Sequence, residues 1–180
     1  MRNKVEYSVT ADGMIIHAAA RMAEASAQLD PIFGDPLRCA DLIGRNLFQF
    51  IEGAEVRHLY GMFHERVLKA NRRIVFDYRC DGPYVRRDMR MSLSRHGELV
   101  RYESLTLKET RRAVPVPSPV PEALMFVSVC SMCKKYQFPR GSTEWKEIEL
   151  MLSERNFPES FRFSHGLCDE CLARCMAEVN

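Results

Sequence analysis

The stretch IVFDYRCDGPYVRRDMRMSLSRHGELVRYESLTLK, residues 74–108, alternates apolar and polar side chains with a period of two. This period is typical of β-strands that have one buried face. Two turn signals interrupt the alternation, DGP at residues 81–83 and RHG at residues 95–97. The stretch therefore predicts three consecutive antiparallel strands that are joined by tight turns.

The residues before this meander predict two further strands and several helices. Residues 4–10 alternate, and the ADG turn that follows leads to a returning strand at residues 14–17. Two prolines and a glycine predict a break at residues 30–36. Helical structure is predicted from alanine content or apolar spacing at three places: residues 18–29, 41–51 and 54–70.

This order of elements resembles that of a PAS domain. DLIGRNLFQFI, residues 41–51, is similar to the segment that leads into the long helix of that fold. FDYRCDGPYVRRDMRM, residues 76–91, resembles a variant in small bacterial sensor proteins. The resemblance covers residues 3–111 and implies an α+β fold, a PAS-like five-stranded antiparallel sheet with flanking helices. It also implies binding of a small molecule or a protein partner, and a homodimer.

The composition changes after residue 112. AVPVPSPVPEA, residues 113–123, carries four of the nine prolines, and five of the seven cysteines follow it. Proline fixes its backbone angle and removes a donor, so this piece predicts an extended connector. We predict a PAS-like sensor domain over residues 1–112, a Pro-rich linker over residues 113–125 and a cysteine-rich zinc-binding helical module over residues 126–180.

Within this module the pattern predicts one strand and two helices. Residues 126–129 predict a short strand that leads into the first cysteine pair. Residues 145–154 predict a helix with Thr143 as its cap, and residues 167–179 predict a second helix that contains the second pair.

Two C-x-x-C pairs predict a metal site. Cys130 with Cys133, and Cys168 with Cys171, can supply four sulfurs at the corners of a tetrahedron, which is the arrangement of structural zinc sites. The 34 residues between the pairs exceed the common spacing and leave room for a helix. A module of about 50 residues buries too little apolar surface to fold securely alone, so zinc would supply folding free energy.

Other cofactors remain open for these cysteines. Four cysteine sulfurs also hold iron–sulfur clusters. A thioredoxin-like dithiol fits less well, because neither pair opens a helix in a βαβ unit. Covalent haem attachment requires C-x-x-C-H, and Lys134 and Leu172 stand at the positions after the pairs.

Two neighbours of the second pair are spare candidates. His165 could replace a cysteine as a ligand, or it could shape the turn and donate a hydrogen bond to a sulfur. Cys175 lies one helical turn after Cys171, so it is either a small core residue or a fifth thiol that exchanges on oxidation.

The cysteine module also carries a resemblance of its own. FSHGLCDEC at residues 163–171, together with CSMCKK at residues 130–135, resembles the end of bacterial signalling proteins in which a cysteine module follows a PAS or receiver domain. The match covers residues 126–176.

Two further groups of residues could carry chemistry. The PAS resemblance implies haem as a weaker possibility, with His58 or His64 of the long helix as ligand; otherwise these histidines are solvated. Four arginines near the turn at Gly82 predict either a sheet face that is paired with the neighbouring aspartates or an anion or partner site. These arginines are Arg79, Arg86, Arg87 and Arg90.

These observations favour a non-enzymatic cytoplasmic sensor or adaptor in bacterial signal transduction, with a protein partner. No catalytic motif stands out. No apolar run approaches the roughly 18–20 residues that span a membrane, and the N-terminus lacks a secretion signal. The alternative is a redox sensor that uses an iron–sulfur cluster or oxidisable zinc thiolates. A nucleic-acid-binding zinc module is third, since residues 126–180 carry seven Lys and Arg against eight Asp and Glu, a net charge of −1.

Overall fold

Five strands form one antiparallel sheet in the order β2-β1-β5-β4-β3. The computed structural model describes residues 3–21, 39–154 and 157–179. The strands of this sheet are β1 (Lys4–Val9), β2 (Ile15–Arg21), β3 (Ile74–Arg79), β4 (Val85–His96) and β5 (Leu99–Arg111). Because β1 pairs with β5, the first hairpin and the meander close into one sheet. The predicted α+β class and its five-stranded antiparallel sheet are confirmed.

The meander follows the predicted period. Phe76 lies opposite Met91 and Ile74 opposite Leu93, and all four side chains are buried on one face of the sheet. A bulge between Asp88 and Met89 shifts the register of β4 against β5. Such a bulge increases the local twist, which curves the sheet around its buried face.

Helical elements cover that face. They are α1 (Cys39–Leu42), a 3₁₀ turn at Leu47–Phe50 and α2 (Ala54–Ala70). The 3₁₀ turn is capped by Asn46, whose side-chain oxygen accepts a hydrogen bond from the Phe48 N–H at 2.9 Å. The apolar stripe of α2 packs into the core of the sheet through Val56, Leu59, Phe63 and Val67.

The predicted helix at residues 18–29 is wrong at its start. Residues 18–21 belong to β2 and continue the ladder with β1, where Ala18 lies opposite Tyr7. Alanine has the highest intrinsic helix propensity, but this preference is worth less than about 1 kcal/mol per residue, and the cross-strand hydrogen bonds outweigh it. Residues 22–29 and the predicted break at residues 30–36 lie outside the described residues.

The cysteine-rich part contains a second sheet in the order β7-β6-β8. Its strands are β6 (Phe126–Cys130), β7 (Tyr136–Gln137) and β8 (Arg162–Gly166), and α3 (Asp169–Val179) follows them. Strand β8 was not predicted. It pairs in parallel with β6, from Phe126 opposite Arg162 to Cys130 opposite Gly166.

The predicted helix at residues 145–154 is wrong in its start and in its type. Lys146 exchanges two backbone hydrogen bonds of 2.8 Å with Tyr136, so this part of the chain is extended. A 3₁₀ helix follows at Ile148–Ser153, and its N-cap is Glu147 rather than Thr143. The bridge to Tyr136 satisfies the backbone groups of Lys146 that a helix would otherwise have used.

The proline-rich residues 113–125 contain no helix or strand, as the composition predicts. Their backbone is held at two points, because the Val116 N–H donates to the Pro83 carbonyl at 3.0 Å and the Val120 N–H donates to the Phe161 carbonyl at 2.8 Å. The domain boundaries at residues 112 and 125 stay a prediction. No helix in the described part of the chain is long and apolar enough to cross a membrane.

Candidate metal centre

The first cysteine pair lies in a tight turn at the end of β6. The Cys130 N–H donates to the Lys135 carbonyl at 2.8 Å, and the Lys134 N–H donates to the Cys130 carbonyl at 2.9 Å. Lys134 adopts a left-handed backbone with φ 62°, which lets the chain reverse within four residues. The turn therefore folds Cys133 back toward Cys130.

The second pair lies where β8 gives way to α3. The Ser131 N–H donates to the Gly166 carbonyl at 2.9 Å, so the parallel strands bring both pairs to the same edge. Cys168 stands just before α3, and its carbonyl accepts the Leu172 N–H at 2.9 Å. Cys171 lies in the first turn of this helix. Positive partial charge at a helix N-terminus favours thiolates at both positions.

The four cysteines surround one point. Their Sγ atoms all lie within 4.8 Å of one another, and the Cys133 and Cys168 sulfurs are 3.8 Å apart. Four sulfurs about 2.3 Å from one zinc ion in a tetrahedron are about 3.8 Å from each other. A disulfide requires about 2.05 Å, and these cysteines are free thiols. The group could therefore hold one metal ion.

The thiols of the group share protons. Hydrogen bonds from Cys133 and Cys171 hold the pKa of Cys130 well below its usual range. The hydrogen bond to Cys130 raises the pKa of Cys133 to about 12, and that of Cys171 is raised far above its ordinary value for the same reason. A second thiolate beside the first is unfavourable without a cation, so a metal ion must displace these protons when it binds.

A guanidinium lies beside the group. Arg174 Nη2 is 3.4 Å from Cys171 Sγ and 3.5 Å from the carbonyl oxygen of Asp77 on β3. Donors to sulfur compensate the negative charge of a four-thiolate site. Arg174 was not among the predicted site residues, although its position three residues after Cys171 places the two on one helix face.

The two spare candidates lie outside the group of four. The Nδ1 atom of His165 is 2.8 Å from the Glu52 carboxylate, and burial lowers the pKa of this imidazole. Cys175 is buried in the hydrophobic core, and burial raises the pKa of its thiol to about 11. Within the described chain, neither side chain belongs to the group whose ligand atoms meet.

The start of α2 docks on the strand that leads to the second pair. The Glu55 carboxylate accepts the Leu167 N–H at 3.2 Å, and Gly53 lies against the His165 carbonyl. On the other side, the Arg79 N–H donates to the Met132 carbonyl at 2.6 Å. Three of the four cysteines are buried in the same apolar cluster as α2 and the five-stranded sheet.

The two haem candidates occupy different surroundings. His64 is buried, with Nε2 3.0 Å from the Thr10 carbonyl and Nδ1 2.9 Å from the Tyr102 hydroxyl. A carbonyl oxygen only accepts, so Nε2 carries the proton and Nδ1 accepts from Tyr102. His64 could bind iron only by breaking one of these bonds. His58 is exposed on α2.

The arginines around the turn at Gly82 are paired with acidic side chains. The side chain of Arg79 is buried. Its guanidinium lies 2.5 Å from the Asp81 carboxylate and 2.7 Å from the Glu149 carboxylate. Arg112 contacts the same two carboxylates. Arg86, Arg87 and Arg90 pair with Asp88, Glu109 and Asp77. The pairs of Arg79 and Arg112 with Glu149 join the five-stranded sheet to the 3₁₀ helix of the cysteine-rich part.

No family model and no curated protein matches this chain. Among solved structures, the chain is similar to the PAS domain of the quorum-sensing receptor RpfR from Cronobacter turicensis, solved in complex with BDSF. The identity is 10%, the TM-score is 0.37, and 58% of this chain and 94% of that chain are covered. It is also similar to the photoactive yellow protein domain of the sensor histidine kinase Ppr from Rhodospirillum centenum. There the identity is 18%, the TM-score is 0.38, and the coverage is 58% and 91%.

Proposed function

We propose that this chain is a non-enzymatic cytoplasmic sensor or adaptor in bacterial signal transduction. Its PAS-like domain binds a small molecule or a protein partner, and Cys130, Cys133, Cys168 and Cys171 hold one Zn²⁺. The observation that supports the zinc site is the convergence of four sulfurs within 4.8 Å on two backbone turns from separate strands.

Zinc fits this group better than a cluster of several metal ions. All four sulfurs lie within 4.8 Å of one another and so surround a single ion, whereas the cysteines of a multi-iron cluster bind different iron atoms and lie further apart. Four protein ligands also leave no open position for a substrate or a reactive water, as in structural zinc sites. This closed site supports a role in folding rather than in catalysis.

A non-enzymatic chain must pass its signal on through contacts. Several large apolar side chains are exposed near the proline-rich residues, including Leu124, which is 88% exposed, and Val114, which is 60% exposed. Exposed apolar groups of this kind favour association with a protein partner or with a second copy. The net charge of −1 over residues 126–180 makes nucleic acid a poor partner for the cysteine module.

A redox sensor is the second candidate. Cys133 is only half-buried, whereas Cys130, Cys168 and Cys171 are buried. An oxidant can reach a zinc thiolate at that position first, and loss of one ligand would release the ion. A site with iron would serve the same role through its own electron chemistry.

Elemental analysis of anaerobically purified protein, together with its ultraviolet–visible spectrum, tests the proposal. One zinc per chain without a visible band is the expected result. Cys171→Ser should lose the metal, whereas the matched variant Cys175→Ser should keep it, because only Cys171 belongs to the group of four. Iron with broad visible absorbance would replace the proposal by the redox sensor. Metal-free wild-type protein would refute both.

A further inference from the structure

One edge of the five-stranded sheet lies against both cysteine pairs. Strand β3 is the last strand in the order of this sheet, so its outer edge pairs with no other strand of the described chain. At this edge the Arg79 N–H donates at 2.6 Å to the carbonyl of Met132, which stands between the first two cysteines. Two residues earlier, the Asp77 carbonyl oxygen lies 3.5 Å from Arg174 Nη2 on α3. Backbone groups two residues apart along a strand face the same side, so one strand edge contacts the surroundings of both pairs.

A single nitrogen of Arg174 serves two acceptors. Its Nη2 atom lies 3.4 Å from Cys171 Sγ as well as 3.5 Å from the Asp77 carbonyl oxygen. An Nη atom of a guanidinium carries two N–H groups, so it can donate to the sulfur with one and to the oxygen with the other. Cys171 belongs to the group of four, and Asp77 belongs to β3. The side chain of Arg174 therefore joins a candidate metal ligand to the edge of the sheet.

Neighbouring carboxylates have cations of their own. The Asp77 side chain binds Arg90 on β4 through two hydrogen bonds, of 2.7 and 2.9 Å. The Glu170 carboxylate lies 3.4 Å from Lys135. Within the described part of the chain, Arg174 forms no ion pair with a carboxylate and donates to the sulfur and the carbonyl oxygen instead.

The strength of the bond to sulfur depends on the metal. Zinc binds cysteine as the thiolate, so four cysteines and one Zn²⁺ carry a net charge of about −2. A hydrogen bond to an ionised acceptor is about twice as strong as one to a neutral acceptor, and the sulfur of a thiol is a weak acceptor. Cys171 therefore holds the guanidinium firmly when the site contains its metal and weakly when it does not.

We propose that Arg174 is a positioning residue that transmits the presence of the metal to the edge of β3. With the metal bound, the thiolate of Cys171 holds the guanidinium, and the same nitrogen holds the Asp77 carbonyl. Without the metal, the sulfur no longer holds the guanidinium, and α3 loses this contact with β3. The inference rests on the proposed zinc site and names the contact through which its occupancy reaches the sheet.

Three variants separate the bond to sulfur from other effects. Arg174→Gln removes the guanidinium, Arg174→Lys keeps the charge without the planar fork, and Arg90→Gln removes a guanidinium that binds the Asp77 carboxylate instead. Both arginines are exposed, so these variants should fold. In competition with a chelator, Arg174→Gln should bind zinc about tenfold more weakly than wild type, because exposure to solvent weakens the contact. Arg174→Lys should lie between the two, and Arg90→Gln should match wild type.

The sulfur-to-metal charge-transfer band of the Co²⁺-loaded protein tests the contact at the sulfur itself. A donor to sulfur stabilises the electrons of the thiolate, so charge transfer to the metal requires more energy. The band of Arg174→Gln should therefore lie at longer wavelength than that of wild type, whereas Arg90→Gln should leave it in place. A merely structural role for Arg174 would not move this band.

The ¹³C chemical shift of the Asp77 carbonyl tests the link to β3. This carbonyl accepts from Arg174, so removal of zinc should change its shift in wild-type protein and in Arg90→Gln. The change should be smaller in Arg174→Gln, because that variant has no guanidinium to release. Comparing the zinc-loaded and zinc-free forms of each protein cancels the constant effect of each substitution.

Two kinds of failure are distinct. Equal zinc affinity and equal band position in Arg174→Gln and Arg90→Gln overturn the inference and leave the zinc proposal intact. An equal zinc-dependent change of the Asp77 shift in wild type and Arg174→Gln also overturns it. Wild-type protein that binds neither zinc nor cobalt overturns the proposed function, and this inference with it, before any variant is made.

Discussion

Replacing Gly53 by alanine should loosen the contact between α2 and the strand that leads to the second cysteine pair. Gly53 has φ 85° and ψ 126°, a backbone conformation outside the left-handed α region that costs a residue with a side chain about 1–3 kcal/mol. A Cβ atom at this position would also lie 2.6 Å from the His165 carbonyl oxygen. The obstacle is backbone rather than the end of a flexible side chain, so β8 must move.

The structure separates these two costs. Overpacking of this kind adds about 1–3 kcal/mol to the backbone cost, so Gly53→Ala should lose about 2–6 kcal/mol. Gly44 has a similar φ of 81°, but a Cβ atom there would meet nothing within 4 Å. Gly44→Ala is therefore the matched control and should lose only about 1–2 kcal/mol.

Urea unfolding of zinc-loaded protein gives the free energy of unfolding for both variants. Competition with a chelator then shows whether the displacement of β8 reaches the metal centre. We expect Gly53→Ala to bind zinc more weakly than Gly44→Ala, because Cys168 follows β8 by two residues. Equal losses of stability and equal zinc affinity in the two variants would refute the docking role of Gly53.

Three further outcomes follow from the charges and the metal. Chelation of zinc at pH 7 should lower the free energy of unfolding by several kcal/mol and shift the emission of the single Trp145, which packs against the core beside the cysteines. His64→Gln should flatten the pH dependence of stability. In the folded state, burial lowers the pKa of His64 below its ordinary value of 6.5, so wild-type protein loses stability as the pH falls below 6.5. An unchanged pH dependence of the free energy of unfolding in the variant would contradict this. Glu149→Gln should lose about 1–2 kcal/mol at pH 7, because the partly exposed pair is screened. Burial raises the pKa of Glu149, but hydrogen bonds from Arg112 and Arg79 outweigh it and hold the value at about 2, so the difference from wild type should narrow as the pH falls from 4.5 toward 2.

The sequence predicted the elements whose pattern is local. The meander of residues 74–108 shows an apolar period of two, and the helix α2 shows a period of 3.6. Both periods can be recognised from residues that are close in sequence. Residues 18–21 and 145–146 were predicted incorrectly because pairing with another segment fixes their backbone, with β1 in one case and Tyr136 in the other. Strand β8 was missed for a related reason, since its pairing with β6 spans more than thirty residues.

The residues of the candidate metal centre likewise fall into those that the sequence could predict and those that it could not. The four cysteines could be chosen from spacing alone, because C-x-x-C turns both sulfurs toward one point. The roles of Gly53 and Glu55 could not, because they depend on how the start of α2 meets residues 165–167.

The parallel pairing of β6 with β8 explains the long gap between the cysteine pairs. Parallel strands require a crossover of a dozen or more residues, whereas a hairpin would need only a few. Because the strands run in the same direction, Cys130 and Gly166 arrive at one edge, and the two turns that follow face each other there. That edge lies against α2 and the end of β3, as the bonds from Leu167 to Glu55 and from Arg79 to Met132 show. The candidate metal centre and the core between α2 and the five-stranded sheet are therefore parts of one packed unit.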